Sequence, residues 1–119
     1  MIRNKTGVWG EIYAARLLRD KGYEIISSDW SCRLGEIDLV AEKGDMLCFV
    51  EVKARNVSSP YSPGEAVDNI KQTKIAKAAS LFLKYYGGNK PSRFDVIEVL
   101  LDDSLKPALI NHMENAFEL

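Results

Sequence analysis

The feature that most constrains this chain is a pair of short extended segments joined through a glycine turn. Gly35-Glu36-Ile37-Asp38-Leu39-Val40 leads through Lys43-Gly44-Asp45-Met46 into Phe49-Val50-Glu51-Val52-Lys53. Both arms are rich in apolar and β-forming residues and read as strands. With Gly44-Asp45 as a two-residue type II′ loop, Gly holding the first central position, Lys43 faces Met46. Counting back along both strands then sets Asp38 opposite Glu51 and Glu36 opposite Lys53. Because side chains alternate faces along a strand, these four residues are expected on one side. Directly opposed residues have Cβ atoms about 4.5–5.5 Å apart.

Two carboxylates placed opposite each other repel. Such a pair either neutralises one member by raising its pKa or holds a cation between the two. Mg²⁺ uses one or two carboxylates and keeps positions open for water and substrate phosphate, so the pair suits it. The spacing is equally compatible with a solvent-facing hairpin in which Glu36 and Lys53 form a surface ion pair. A one-residue slip of the turn would also put the acids on different faces.

Composition narrows the chemistry. The 119 residues suffice for one domain, expected to span residues 1–119. The 46% apolar and 28% charged fractions are those of an ordinary globular protein. No stretch approaches the ~20 apolar residues of a membrane span. Met1-Ile2-Arg3-Asn4-Lys5 is basic but has no apolar run behind it, so no signal peptide and a cytoplasmic location are expected. Two cysteines, Cys32 and Cys48, are too few for a disulfide scaffold or a cysteine-type zinc site. His112 is the only histidine, which leaves catalysis to carboxylates, lysine and a hard metal; His112 itself reads as structural. A net charge of −1 counts mildly against nucleic-acid binding, although local clustering of Lys and Arg decides that question.

In chain order, residues 7–21 read as a helix with Thr6 as N-cap and Gly22 as stop. Val8, Glu11, Ile12, Ala15 and Leu18 share one helical face, which places Glu11 inside an apolar stripe. Glu11 is either a first-turn acid complementing the helix dipole or a third carboxylate aimed at the hairpin. Residues 23–28 read as a strand, followed by a lead-in over 29–33 in which Trp30 packs and Arg33 stays open as a phosphate contact. Residues 54–64 hold two prolines, a glycine and three serines and read as a long loop beside Lys53. A helix over 65–86 carries Lys71, Lys74 and Lys77, either a solvated face or phosphate contacts. Residues 93–100 form an interior strand, apolar on both faces at its centre. The tail over 108–117 has only a weak edge-strand pattern. The order αβββαβ packs as a three-layer α/β sandwich.

Gly10-Glu11-x-x-Ala14, Gly35-Glu36-Ile37-Asp38-Leu39-Val40, Phe49-Val50-Glu51-Val52-Lys53-x-Arg55, Ala66-Val67 with Lys71, and Arg93-Phe94-Asp95-Val96-Ile97 closely resemble the YraN-like family of uncharacterised bacterial proteins. The resemblance covers residues 4–117 with the motifs in order. It implies membership of the restriction-endonuclease-like superfamily and similarity to archaeal-type Holliday-junction resolvases, with an αβββαβ core around a central mixed β-sheet. It also implies an acid-x(n)-Glu-x-Lys site made of Asp38, Glu51 and Lys53, with Glu11 as auxiliary acid. Ile37 stands where many superfamily members carry proline.

Three functional classes follow. The first is a Mg²⁺- or Mn²⁺-dependent endonuclease acting on DNA, branched or Holliday-junction DNA included. In it Asp38, Glu51, Glu11 and the Val52 carbonyl hold metal, Lys53 serves the attacking water, and Arg33, Arg55, Lys71 and Lys74 contact phosphates. The second is a nucleic-acid-binding module that does not cleave, and the third a protein-interaction domain on the same fold. A symmetric homodimer is expected by analogy with two-fold substrates.

Overall fold

The computed structural model describes residues 5–60, 67–87 and 89–118. Its elements are helix α1 (Lys5–Asp20), strands β1 (Glu24–Cys32), β2 (Gly35–Lys43) and β3 (Met46–Asn56), and helix α2 (Asn69–Phe82). A π-helical turn over Leu83–Gly87 precedes strands β4 (Ser92–Leu101) and β5 (Pro107–Phe117). The strands form one mixed sheet in the order β1-β2-β3-β4-β5, parallel only between β3 and β4. The crossover that permits this parallel pair runs through α2. No helix of the described residues is long and apolar enough to cross a membrane.

Each face of the sheet carries one helix, so the molecule is a three-layer α/β structure. Ala14, Ala15 and Leu18 of α1 pack on Leu39, Ala41, Cys48, Val50, Ile97, Val99 and Leu101. Ala78, Ala79 and Phe82 of α2 pack on Ile37, Val40, Leu47 and Phe49. Trp30 meets Phe82 edge-on at 5.4 Å, the packing role its position suggests.

The hairpin register runs from Lys43↔Met46 to Leu39↔Val50, as the turn requires. Gly44 has φ +62 whereas Asp45 is not among the positive-φ residues, the pattern of a type II′ turn.

Several boundaries differ from the sequence reading. Thr6 lies inside α1 rather than capping it, since the helix begins at Lys5. β1 continues to Cys32, so residues 29–32 are strand rather than lead-in. β3 runs to Asn56, three residues into the expected loop, because its parallel register with β4 continues to Asn56↔Leu101. α2 begins at Asn69, where Asp68 caps it by accepting the Lys71 amide proton. Positions 61–66, including the end of the loop and Ala66, lie outside the described residues, as does Gly88.

The tail is a full eleven-residue strand. Its mostly exposed side chains hide the strand signal, and a buried polar network replaces it. Asp95, fully buried, accepts from Arg93 Nε at 2.8 Å and from the Asn115 amide at 3.0 Å. His112 Nε2 lies 2.7 Å from Asp95 Oδ2, and Lys21 Nζ lies 2.8 Å from His112 Nδ1. An ammonium only donates, so Nδ1 accepts and Nε2 carries the proton given to Asp95. Burial alone would raise the Asp95 pKa, but the hydrogen bonds from His112, Arg93 and Asn115 outweigh it and hold it below the usual 3.8. Phe94 and Phe117 stack at 4.9 Å beside this network.

α1 approaches β3 closely at Gly10, where a Cβ would stand 2.4 Å from Ala54 Cβ. Real Cβ atoms do not come so near, so Gly10→Ala must push the helix off the sheet. The substitution is expected to lower stability by up to about 2 kcal/mol, the balance of an overpacking cost of ~1–3 kcal/mol against the ~1 kcal/mol helix-propensity gain of alanine. Thermal unfolding of Gly10→Ala against the Gly10→Ala/Ala54→Gly double variant checks this. The second change should restore most of the loss.

Candidate metal centre

The close seating of α1 brings Glu11 down onto the sheet where the β-ladders are interrupted. Leu39 packs toward α1 and Val40 toward α2, as alternation demands. Ile37, however, packs toward α2 with Val40, so the alternation slips at Asp38. The β2–β3 pairing stops at Leu39↔Val50, and Val52 N–H donates to Asp38 Oδ2 at 2.8 Å instead of to a β2 carbonyl. Asp38 therefore lies in the opening between two strands rather than on the shared face expected from strict pairing. The N–H and C=O of one strand residue point toward the same neighbouring strand, so the Val52 carbonyl is directed toward this gap as well.

The same interruption occurs on the other side of β2. The β1–β2 register passes from Ser28↔Leu39 to Trp30↔Ile37 and omits the intervening Asp29–Asp38 pair. Asp29 has φ +53, a left-handed conformation that aspartate tolerates better than most residues. Its carboxylate, with those of Glu11 and Asp38, offers oxygens that all lie within 4.8 Å of one another. Asp29 and Glu11 also line a cavity of about 260 Å³ beside α1.

Asp29 is absent from the sequence-derived site, although a signal for it existed. Arg33-Leu34 form a two-residue turn that pairs Cys32 with Gly35. Counting back from that pair, as for the β2–β3 hairpin, places Asp29 opposite Asp38.

Glu51 approaches from the α2 side of β3 and is 6% exposed. It shares a hydrogen bond with Asp38. Burial, then the negative charge of Glu51, pushes the Asp38 carboxyl up from 3.8 to about 8; Glu11 adds to this, and the Val52 amide opposes it. Lys71 Nζ, from the first turn of α2, lies 2.5 Å from Glu51 Oε1. Burial pulls Lys71 down, but the hydrogen bond and charge of Glu51, with Asp38 and Glu36, leave its pKa raised.

The remaining expected residues surround this cluster. Lys53 and Arg55 line a cavity of about 250 Å³ with Glu51, Val52 and Lys71. Lys53 is half-buried and stands beside the buried Glu98 in the parallel β3–β4 register. Arg33 and Lys74 line a groove of about 650 Å³ with Glu36 and Ile70, and Lys71 and Asp68 border both spaces. Glu36 faces Ser31 in the β1–β2 ladder, and the β2–β3 ladder does not extend to a Glu36–Lys53 pair.

The donor set tests which metal the centre suits. Glu11, Asp29, Asp38, Glu51 and the Val52 carbonyl offer only oxygen. Such donors fit Mg²⁺ or Mn²⁺ rather than zinc, whose protein sites favour nitrogen and sulfur.

Fold and site thus define a three-layer α/β protein with a carboxylate cluster where its central strands part, Glu51 buried, Glu11 and Asp38 half-buried and Asp29 exposed. A family model described as uncharacterised protein family UPF0102 matches residues 10–99. A UPF0102 protein of Syntrophomonas wolfei is 44% identical over 117 residues, covering 98% of this chain and 100% of that protein. One of Symbiobacterium thermophilum is 47% identical over 96 residues, 80% of this chain and 81% of that protein. Another, of Moorella thermoacetica, is 37% identical over 118 residues and 98% of each chain. The chain belongs to the UPF0102 family, the YraN family of the sequence motifs.

Proposed function

We propose that this protein is a metal-dependent endonuclease that hydrolyses phosphodiester bonds in DNA, with branched or Holliday-junction DNA as its substrate class. The observation that carries this reading is the convergence of Glu11, Asp29 and Asp38 oxygens within 4.8 Å, with Glu51 hydrogen-bonded to Asp38. Three acids from α1, β1 and β2 converge in a partly buried gap and a fourth, Glu51 of β3, bonds one of them, an arrangement with a high electrostatic cost and no evident packing gain. The resemblance to restriction-endonuclease-like proteins and archaeal-type resolvases supports the same class, and with it a cytoplasmic symmetric homodimer.

Asp38, Glu51, Glu11 and the Val52 carbonyl would hold the ion, with Asp29 completing an all-oxygen set. Bound Mg²⁺ or Mn²⁺ supplies Lewis-acid polarisation of a phosphoryl oxygen and a more acidic water. Lys53, on the same face of β3 as Glu51, orients that water and offsets charge developing on the phosphorus-bound oxygens. Arg33, Arg55 and Lys74 hold the flanking phosphates, fixing the backbone in register without reading sequence.

The test is a labelled panel of four-way, flap, single-stranded and duplex DNA with Mg²⁺, Mn²⁺ or chelator. Cleavage is expected with either metal and not with chelator, fastest on a branched substrate. Salt-sensitive binding without cleavage would replace this reading with a binding module. Neither binding nor cleavage would leave a protein partner as the function.

A further inference from the structure

Lys71 is expected from sequence to contact substrate, yet its ammonium is spent on Glu51, 2.5 Å away. Glu51 is 6% exposed while the Lys71 side chain is 53% exposed, so only the tip of the lysine enters the cluster. Its backbone is fixed independently, because the Lys71 amide donates to the N-cap Asp68 at 2.8 Å. The side chain can therefore leave without disturbing the helix. Lys71 also stands at the junction of the two cavities, one lined by Arg33 and Lys74, the other by Lys53 and Arg55. Either direction of departure carries its ammonium into a space already lined by cations.

We propose that Lys71 is a tethered counter-cation of the carboxylate cluster, displaced from Glu51 by the divalent cation and thereby released to contact a substrate phosphate. The inference rests on the metal-dependent reading above and makes Lys71 a substrate contact whose release couples metal binding to nucleic-acid binding. A monovalent ammonium and a divalent ion cannot both sit against Glu51 without repulsion. The ammonium has the weaker hold, since it carries half the charge of the divalent ion and sits on a flexible side chain that is itself 53% exposed. A lysine, with three freely rotating donors and a flexible stem, exchanges carboxylate for phosphate without a geometric requirement.

Calorimetric titration with Mn²⁺ alone tests the first half. Lys71→Met is expected to bind Mn²⁺ about five-fold more tightly than the unaltered protein, because the competing cation is gone. Lys71→Arg, which keeps a charge, should bind more weakly than Lys71→Met; Lys71→Gln serves if Met impairs folding. The second half is read from the salt dependence of binding a labelled flap DNA by anisotropy. With Ca²⁺ present, Lys71→Met should lose about one phosphate contact, a slope change of ~0.7–0.9. With chelator its slope should match the unaltered protein, since Lys71 is then held by Glu51. Unchanged or weaker Mn²⁺ binding by Lys71→Met overturns the proposal, as does an equal slope change with and without metal. Absence of Mn²⁺ binding by every protein overturns it together with the nuclease reading, whereas normal binding unaffected by Lys71 overturns this inference alone.

Discussion

Glu51→Gln and Lys53→Met are each expected to reduce metal-dependent DNA cleavage by on the order of 10³-fold, while leaving the fold intact. A single preorganised electrostatic contact to developing charge contributes ~10²–10³-fold, and each residue supplies one, Glu51 through the ion it would hold and Lys53 directly. Glu51→Gln keeps the volume and an acceptor for Lys71 but removes the charge needed to hold a hard cation. Lys53→Met keeps an aliphatic stem of similar length and removes only the ammonium. Lys53→Arg should restore little cleavage, because a larger planar guanidinium cannot take the place of a compact point charge beside the water. Single-turnover cleavage of the preferred substrate, with thermal unfolding of each variant as a control, decides the matter. Full activity in either variant would place the chemistry elsewhere or in a contaminant.

How much of this centre the sequence revealed depends on the range of each contact. The β2–β3 register followed from one glycine turn, and with it came the meeting of Asp38 and Glu51. Glu11 was legible as an acid inside an apolar helical stripe, an anomaly visible within two helical turns. The slip at Asp38 was not legible, because alternation predicts side-chain faces only while both strands stay paired. Asp29 needed a second hairpin count, which the lead-in reading of residues 29–33 concealed. The Glu51–Lys71 pair joins a strand to a helix twenty residues on, and no local pattern encodes it. β5 was weak for a related reason: its anchor is the Asp95–Arg93–His112 network, which leaves most of the strand exposed and without periodicity.

The metal-free protein is expected to lose stability steadily between pH 5 and pH 8, with Asp38 as the cause. Its folded-state pKa is about 8, whereas an unfolded aspartate titrates near ~3.9. The native state thus holds this proton more tightly than the unfolded chain. A raised acid contributes stability that is fully present below the unfolded pKa and disappears as pH climbs through the folded one. At ~1.4 kcal/mol per pH unit between the two values, the loss across this range amounts to several kcal/mol. Asp95 does not blur the window: its lowered pKa confers stability that is lost only as pH falls below ~4. Lys71, raised above its usual 10.5, acts only at the alkaline end. Asp38→Asn removes the titration while its side-chain oxygen still accepts the Val52 amide proton. In chelator, the variant's thermal midpoint should stay nearly flat from pH 5 to 8 and exceed that of the unaltered protein at pH 8. Mn²⁺ should narrow that difference by favouring the ionised aspartate in the unaltered protein alone. Parallel pH profiles for the two proteins in chelator would mean that Asp38 is ionised in the native state, and that the cluster is balanced by its cations without a trapped proton.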